Sequence, residues 1–317
     1  MDWNIFLKLL LQRHNFALLV GIIAGFLIPN GAQSILHIMI PLLILAMTLS
    51  MSRTHIKDIL KPKLIVKPLM MILFFNFIIL GMFNIALGYL LSDDFAIRAG
   101  FVILAGAPPS LAIPAFAYNL KGNVNEAFIG TTLGYIASIA IMPVMVGLFL
   151  NGKYDSSQLF LILFELIVIP IILSQFYRVS GIMRYTERYH GHIINWCIAI
   201  VCFSLIGINH DLITSSPKDL LVPSIVAIIT IFILGEIIFY LCRRTSISYQ
   251  QTVNIILFGT MKKWAGASAI ALTLFGEKAT LPATLGIIVG FLYYFWLVLK
   301  IGHSELPLGV GTTPRLF

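Results

Sequence analysis

Long apolar segments recur from one end of the chain to the other, separated by short polar stretches. Each segment approaches the roughly 20 apolar residues that a bilayer-spanning helix needs, whereas the strands of a membrane β-barrel would alternate apolar and polar residues. The pattern therefore predicts an all-α membrane protein with ten transmembrane helices. The predicted spans are residues 15–29, 34–52, 66–91, 95–120, 124–150, 157–178, 192–210, 219–242, 247–275 and 279–301.

The composition leaves little material for a water-soluble domain. Of the 317 residues, 59% are hydrophobic and 11% are charged, against about 25% charged in a soluble domain. The sequence contains no HExxH, GxSxG or GxxxxGKS/T motif, which argues against a hydrolase and against a pump driven by ATP. The three cysteines lie in or beside apolar segments without CxxC spacing, so neither an enzyme activity nor a metal or other cofactor is predicted.

The charged residues alternate between the two sets of loops. The loops of one set are basic and carry Lys8, Arg13, Arg53, Lys57, Lys61, Lys63, Lys67, Lys121, Arg178, Arg184, Arg188, Arg243, Arg244, Lys300 and Arg315. The opposite set has acidic residues and few cations, which are Arg98, Lys153, Lys218 and Lys278. The positive-inside rule then places both termini in the cytoplasm of a multi-pass protein of the inner or plasma membrane. The net charge of +8 follows from this bias, so the predicted partner is the lipid bilayer and not nucleic acid.

The fourth segment is interrupted at its centre. Gly106 is followed by Pro108, Pro109 and Ser110, and Pro114 comes shortly afterwards. Consecutive prolines remove backbone donors and clash with the preceding turn, so the helix is expected to break near the bilayer midplane. A plain structural kink is the alternative interpretation.

The ninth segment has a polar interruption of a different kind. Thr260, Lys262 and Lys263 lie between two apolar runs, and Ala265 opens the second run. A lysine at the centre of a membrane costs about 2.5–3.5 kcal/mol on insertion scales, which indicates a functional charge. The alternative is that the span is placed wrongly and both lysines lie in a loop.

The two interruptions correspond in position, since each lies in the fourth helix of a run of five. Because five is odd, residues 151–317 must insert with the opposite topology to residues 1–150, as an inverted repeat of five plus five helices. Broken helices at matching positions of inverted halves point to a transporter binding site, and the half-helix N-termini at Ser110 and Ala265 offer partial positive charge. The predicted substrate-binding residues are Pro108, Pro109, Ser110, Pro114, Thr260, Lys262, Lys263 and Ala265.

Two carboxylates also lie within predicted spans, Glu165 in the sixth and Glu236 in the eighth. Intramembrane carboxylates are costly unless they are paired, so either could neutralise one of the lysines. Asn76, Asn84 and Asn254 are weaker candidates, because polar side chains of this kind also bond neighbouring helices.

Two stretches resemble the bile acid:sodium symporter family. Leu43–Lys63 resembles its second helix with the basic loop that follows, and Gly106–Leu133 carries the crossing proline, a Gly-Asn-Val turn and the threonine pair Thr131 and Thr132. The resemblance implies that helices 1, 2, 6 and 7 form a panel and that helices 3–5 and 8–10 form a core. It also implies that helices 4 and 9 cross as discontinuous helices, and that a small organic anion binds between core and panel.

The chain departs from that family at the expected sodium sites. Sodium-coupled members carry a glutamate and a polar run in the ninth helix, where this chain has Lys262 and Lys263. Sodium needs oxygen ligands, which an ammonium does not supply. The favoured function is therefore a secondary active transporter of a small organic anion, working by alternating access and either independent of sodium or linked to protons. The candidates for ion coupling or charge pairing are Lys262, Lys263, Glu165, Glu236, Thr131 and Thr132.

Three alternatives remain open. A sodium-coupled symporter of the bile-acid type, and an exporter of the auxin-efflux or arsenite type, would use the same scaffold. The arsenite branch uses a cysteine in the fourth helix, and this chain has none there. A sensor that kept a transporter fold would be expected to carry a signalling domain or a long polar loop, and the sequence offers neither.

Overall fold

The computed structural model describes residues 13–52, 62–152, 154–215 and 217–303. Within these ranges the chain is helical and forms no strand. The principal helices are α1 (Arg13–Leu27), α2 (Met39–Met51), α3 (62–91), α4a (Phe95–Gly106), α4b (Ile113–Asn119), α5 (Val124–Leu150), α6 (156–179), α7 (Met183–Ile208), α8 (217–243), α9a (Tyr249–Thr260), α9b (Trp264–Phe275) and α10 (Leu281–His303). Several residues of the predicted loop-charge pattern lie outside the described ranges, namely Lys8, Arg53, Lys57, Lys61, Lys153 and Arg315.

Helix length and composition confirm the predicted class, an all-α multi-pass membrane protein. Six helices in the described ranges are long and apolar enough to cross a bilayer: Ile65–Leu91, Val124–Leu150, Ser156–Val179, Arg188–Ile208, Lys218–Arg243 and Glu277–Lys300. The shorter apolar helices are Phe16–Leu27, Leu36–Met51, Phe95–Gly106 and Trp264–Phe275. The last two are halves of interrupted helices, which explains their length.

Helix α7 begins at Met183, well before the predicted start of the seventh span at residue 192. Its extra turns carry Arg184 and Arg188, with the side chain of Tyr185 exposed between them. Basic and aromatic residues of this kind belong at a membrane surface. An apolar window therefore detects the end of the hydrophobic span, whereas the helix itself continues beyond it.

Among the described helices, three contain wide, π-helical stretches: Leu73–Gly81 in α3, Phe164–Val168 in α6 and Ile228–Ile233 in α8. Such turns are rare and often lie at functional sites. The stretch in α3 brings the buried side chains of Asn76 and Phe77 to the interrupted ninth helix.

The buried apolar side chains form two large clusters that divide at the two interruptions. The first, here called the mixed cluster, joins α1, α2, α6 and α7 to α4a, α5, α9b and α10. The second, the core cluster, is built by α3, α4b, the start of α5, α8, α9a and α10. Within the described residues, the core cluster includes no side chain of α1, α2, α6 or α7. These four helices therefore pack on the rest of the bundle mainly on one side of the interruptions.

Candidate functional site

The two interruptions meet and pair through their backbones. Residues 107–112 connect α4a to α4b, and residues 261–263 connect α9a to α9b. The amide of Lys263 donates to the carbonyl of Pro108 at 2.9 Å, and the amide of Ser110 donates to the carbonyl of Met261 at 3.2 Å. Because backbone groups freed inside a membrane need partners, each break satisfies part of the other. We call this antiparallel contact the crossing.

Lys262 caps the end of α4a. Its amine donates to the carbonyls of Ala105 at 2.7 Å and Ala107 at 2.9 Å. The same amine lies 4.6 Å from the ring centroid of Phe77, and only 1% of the residue is exposed. The last carbonyls of a helix lack intrahelical partners and form the negative end of its dipole. The amine at this point therefore supplies the missing donors and, when protonated, the complementary charge.

Asn76 caps the end of α9a in a similar way. Its side-chain amide donates to the carbonyls of Phe258 at 2.8 Å and Met261 at 3.3 Å. Asn76 is fully buried in the π-helical stretch of α3. The sequence makes Asn76 a weaker site candidate that could also bond a neighbouring helix, and the neighbour it bonds is the end of the broken helix.

Lys263 occupies a different environment from its neighbour. Its aliphatic chain lies over Gly266, where an added Cβ would be 3.0 Å from the lysine Cδ and Cε. The amine contacts the sulfur of Met47 on α2 and lies 5.1 Å from the ring centroid of Tyr135 on α5. Within the described part of the chain, neither of these contacts is to an oxygen acceptor. The amine therefore lacks the oxygen partners that the amine of Lys262 has.

A cavity of about 100 Å³ lies beside the crossing. Its walls are formed by α1, α2, α7 and α10, and they are mostly apolar. The wall residues include Leu18, Ile22, Met47, Ile198, Cys202, Ile287 and Phe291. The crossing closes one side with Ser110, Lys262, Lys263 and Ala265. The arrangement combines an apolar chamber with a basic end, which is suited to an anion with an apolar body.

The other predicted site residues lie apart from this cavity. Pro114, Thr131 and Thr132 border a separate pocket of about 20 Å³ with Tyr135. Thr260 borders a third pocket, and its hydroxyl donates to the carbonyl of Ile256 in its own helix. The hydroxyls of Thr131 and Thr132 likewise donate to carbonyls of α5. Helix α4b begins at Ile113 and not at Ser110, because Pro109 and Ser110 pair with the ninth-helix break and a turn at residues 111–112 follows.

Neither intramembrane glutamate contacts a lysine of the crossing. Glu165 is half-buried in the π-helical stretch of α6 and forms no hydrogen bond or ion pair with any described residue. Glu236 pairs with Lys300 and accepts a hydrogen bond from Trp296 at 3.0 Å. The carboxylate partner expected for the lysines is therefore absent among the described residues.

Sequence reasoning did not single out Met47, Phe77 or Tyr135, although all three touch the lysine amines. In the sequence, a methionine or an aromatic residue that contacts a functional site cannot be distinguished from one that only packs between helices. Asn76, a polar residue in the middle of the third span, did offer a sequence clue to a partner of the ninth-helix break.

The fold and the site define the class of the protein, a multi-pass membrane protein in which two broken helices cross beside a cavity. The SBF-like CPA transporter family model matches residues 4–294, and the chain belongs to that family. The predicted resemblance to bile acid:sodium symporters is confirmed, and the chain is a membrane transporter. No curated protein matches the chain.

Proposed function

We propose that this protein is a secondary active transporter that carries a small organic anion across the cytoplasmic or inner membrane by alternating access. The observation that carries the proposal is the apolar cavity closed at one side by Lys262 and Lys263. A carboxylate could bond an amine at the crossing while its apolar body contacts the cavity walls. No group of three potential metal ligands occurs among the described residues, and the proposal needs none.

The proposed topology has ten spans, with α1–α5 and α6–α10 as two repeats of opposite orientation and both termini in the cytoplasm. The breaks in the fourth and ninth helices support it, and so do the π-helical stretches in the third and eighth. Single cysteines at the exposed positions Ser156 and Ser215 should then react with an impermeant reagent from outside. A cysteine at the half-buried position Thr186 should react only from inside, and a reversal at one of the three would reject the topology.

Alternating access requires the panel, α1, α2, α6 and α7, to move against the core. The mixed cluster joins the two on one side of the crossing, whereas the core cluster on the other side includes no described side chain of the panel. At the joined side, the amide of Asn209 at the end of α7 donates to the hydroxyl of Thr280, before α10, at 2.8 Å. In the proposed topology this is the outer side. The cavity would then communicate with the cytoplasm, and the Asn209–Thr280 bond would break when the outer side opens.

Transport is proposed to be independent of sodium. The amine of Lys262 already occupies the carbonyls at the end of α4a, and a second cation beside it would be repelled. Among the described residues, no carboxylate contacts either lysine to offset that repulsion. Two alternatives then remain, coupling to a proton carried by one of the amines and transport without a coupling ion.

Purified protein in proteoliposomes can test these proposals directly. Uptake of labelled hexanoate, benzoate, cholate and indole-3-acetate would be measured with sodium, with choline in its place, and with an imposed pH gradient. We expect at least one anion to accumulate equally well in sodium and in choline. Saturable dependence on sodium would instead support a symporter, and transport of arsenite alone would support an arsenite exporter. Absence of uptake for every anion would reject the proposed function.

A further inference from the structure

We propose that the two adjacent lysines have separate roles: Lys262 is a built-in cation that holds the crossing together, and Lys263 is the residue that binds the anionic group of the substrate. This inference rests on the proposed function, since it assumes that an anion is carried. It gives each of the two amines its own role, which the sequence alone cannot do.

The local backbone explains how neighbours can differ so much. Residue Lys262 forms an antiparallel bridge with Pro109, and Met261 before it has an extended backbone with φ −107° and ψ 109°. Successive side chains of extended backbone point to opposite faces. On a continuous helix they would diverge by only about 100°. The break therefore directs one amine toward α4a and the other toward α2 and α5.

The amine of Lys262 is already occupied. An ammonium has three donors, and two of them serve the carbonyls of Ala105 and Ala107. The aromatic face of Phe77, at 4.6 Å, adds a favourable contact for the charge. Lys262 borders the cavity, but only 1% of it is exposed. A substrate could use only the one remaining donor of this amine unless it displaced the cap of α4a.

The amine of Lys263 is buried and under-satisfied. Its neighbours are the thioether of Met47 and the ring of Tyr135, and a thioether is a weak acceptor. The hydroxyl of Tyr135 is itself buried with no partner among the described residues. Buried donors without acceptors are costly, so an incoming carboxylate would remove an existing penalty. Lys263 is also the N-cap residue of the twelve-residue helix α9b, whose dipole favours an anion near this end.

Met47 links this amine to the panel. It lies on α2, whereas Lys263 and Tyr135 belong to the core. An anion bound by Lys263 would therefore lie at the interface where panel and core separate. Among the described residues, the amine of Lys262 contacts core elements alone, which is where a fixed structural charge should be.

The test compares variants of the full chain in nanodiscs, with anion binding and thermal unfolding as separate readouts. The probes are hexanoate, benzoate and cholate. The variants are Lys262→Met, Lys263→Met and Lys263→Arg, with Lys218→Met as a control that removes an exposed lysine far along the chain from the crossing. Phe77→Leu is a milder variant for the case that Lys262→Met does not fold, because it removes only the aromatic ring that lies against the amine of Lys262.

We expect Lys263→Met to keep or raise the wild-type Tm, since it removes an under-satisfied buried amine, and to lose at least about tenfold in affinity, as for a lost charge-assisted hydrogen bond. Lys263→Arg should restore most of that affinity. Lys262→Met and Phe77→Leu should lower the Tm while the folded protein keeps its affinity within a few-fold. Wild-type affinity in Lys263→Met would overturn the inference, and so would lost affinity at unchanged Tm in either Lys262→Met or Phe77→Leu. If the wild-type protein bound none of the probes, the proposed function would fail first.

Discussion

The two interruptions form one contact, yet they are encoded in different ways. The break in the fourth helix contains Pro108 and Pro109, which lack amide donors and cannot continue a helix in any environment. The break in the ninth helix contains no proline, and its residues, Met261, Lys262 and Lys263, are all able to form a helix. It is held open by partners, chiefly Asn76 and the backbone of the opposite break.

The difference also determines which side supplies hydrogen-bond donors. The ninth-helix break gives the amine of Lys262 and the amide of Lys263 to the fourth. The fourth returns only the amide of Ser110. One interruption is thus rigid and short of donors, whereas the other is adaptable and carries the charge. An adaptable, charged element beside a rigid one is a suitable place to bind an anion and to respond to it.

The largest effect is expected at Asn76. Asn76→Leu keeps the volume but leaves the carbonyls of Phe258 and Met261 without their donor, which should cost about 2–3 kcal/mol of stability. Asn84→Leu is the matched control, because Asn84 is also buried in α3 and donates to Leu80 in its own helix. Thermal unfolding in detergent would compare the two. An equal loss in both variants would show that the ninth-helix break does not depend on Asn76.

A smaller effect is expected where the rigid break packs against α5. A Cβ at Gly134 would lie 2.6 Å from ring atoms of Pro109, and a proline ring cannot turn aside. Gly134→Ala should therefore cost about 1–2 kcal/mol by overpacking, and transport should fall with it. Gly147→Ala in the same helix is the control, since the nearest atom to its Cβ would be 3.6 Å away. Equal melting temperatures for the two variants would contradict tight packing at the rigid break.

The smallest effect concerns the far end of α4a, where Asp94 is the N-cap. Burial acts to raise the pKa of Asp94, but the Lys278 ammonium and the amides of Ile97 and Ala96 outweigh it, so the pKa is lowered. A lowered pKa contributes stability above the unfolded value, about 3.9, and that stability is lost as pH falls through the folded value. Wild-type protein should lose a little stability below about pH 4, and Asp94→Asn should not show that part of the loss. If the stability of the two proteins changed identically with pH in the acid range, Asp94 would not contribute to stability in this way.

The sequence was sufficient for the rigid break and only partly sufficient for the adaptable one. Proline breaks a helix through its own covalent geometry, so Pro108 and Pro109 predict the break without any knowledge of the residues that surround them in the fold. Lys262 and Lys263 indicate a charge in the middle of the ninth span. The different directions of their two amines, however, depend on the extended backbone that pairing with the opposite break stabilises. Periodicity within one segment cannot contain that information.

The partners of the lysines could not be predicted for a related reason. Glu165 and Glu236 attracted attention because charge in a membrane is expensive, yet the amine of Lys262 is satisfied by backbone carbonyls, which every residue possesses. Sequence patterns single out side chains, so they could not identify the backbone carbonyls of Ala105 and Ala107 as the acceptors. Met47 and Tyr135 were missed because they are indistinguishable from packing residues until the helices are placed.

Chemical restoration of the amine tests the central claim most directly. Lys263→Cys and Lys262→Cys would be made in a background in which Cys197, Cys202 and Cys242 are replaced by serine or alanine. Anion uptake into proteoliposomes would be measured before and after treatment with 2-aminoethyl methanethiosulfonate, which adds an ammonium, or with the uncharged methyl reagent. We predict that uptake is lost in Lys263→Cys and returns only with the ammonium reagent, and that the anion slows this modification. Wild-type uptake in Lys263→Cys before treatment, or restoration only in Lys262→Cys, would contradict the account.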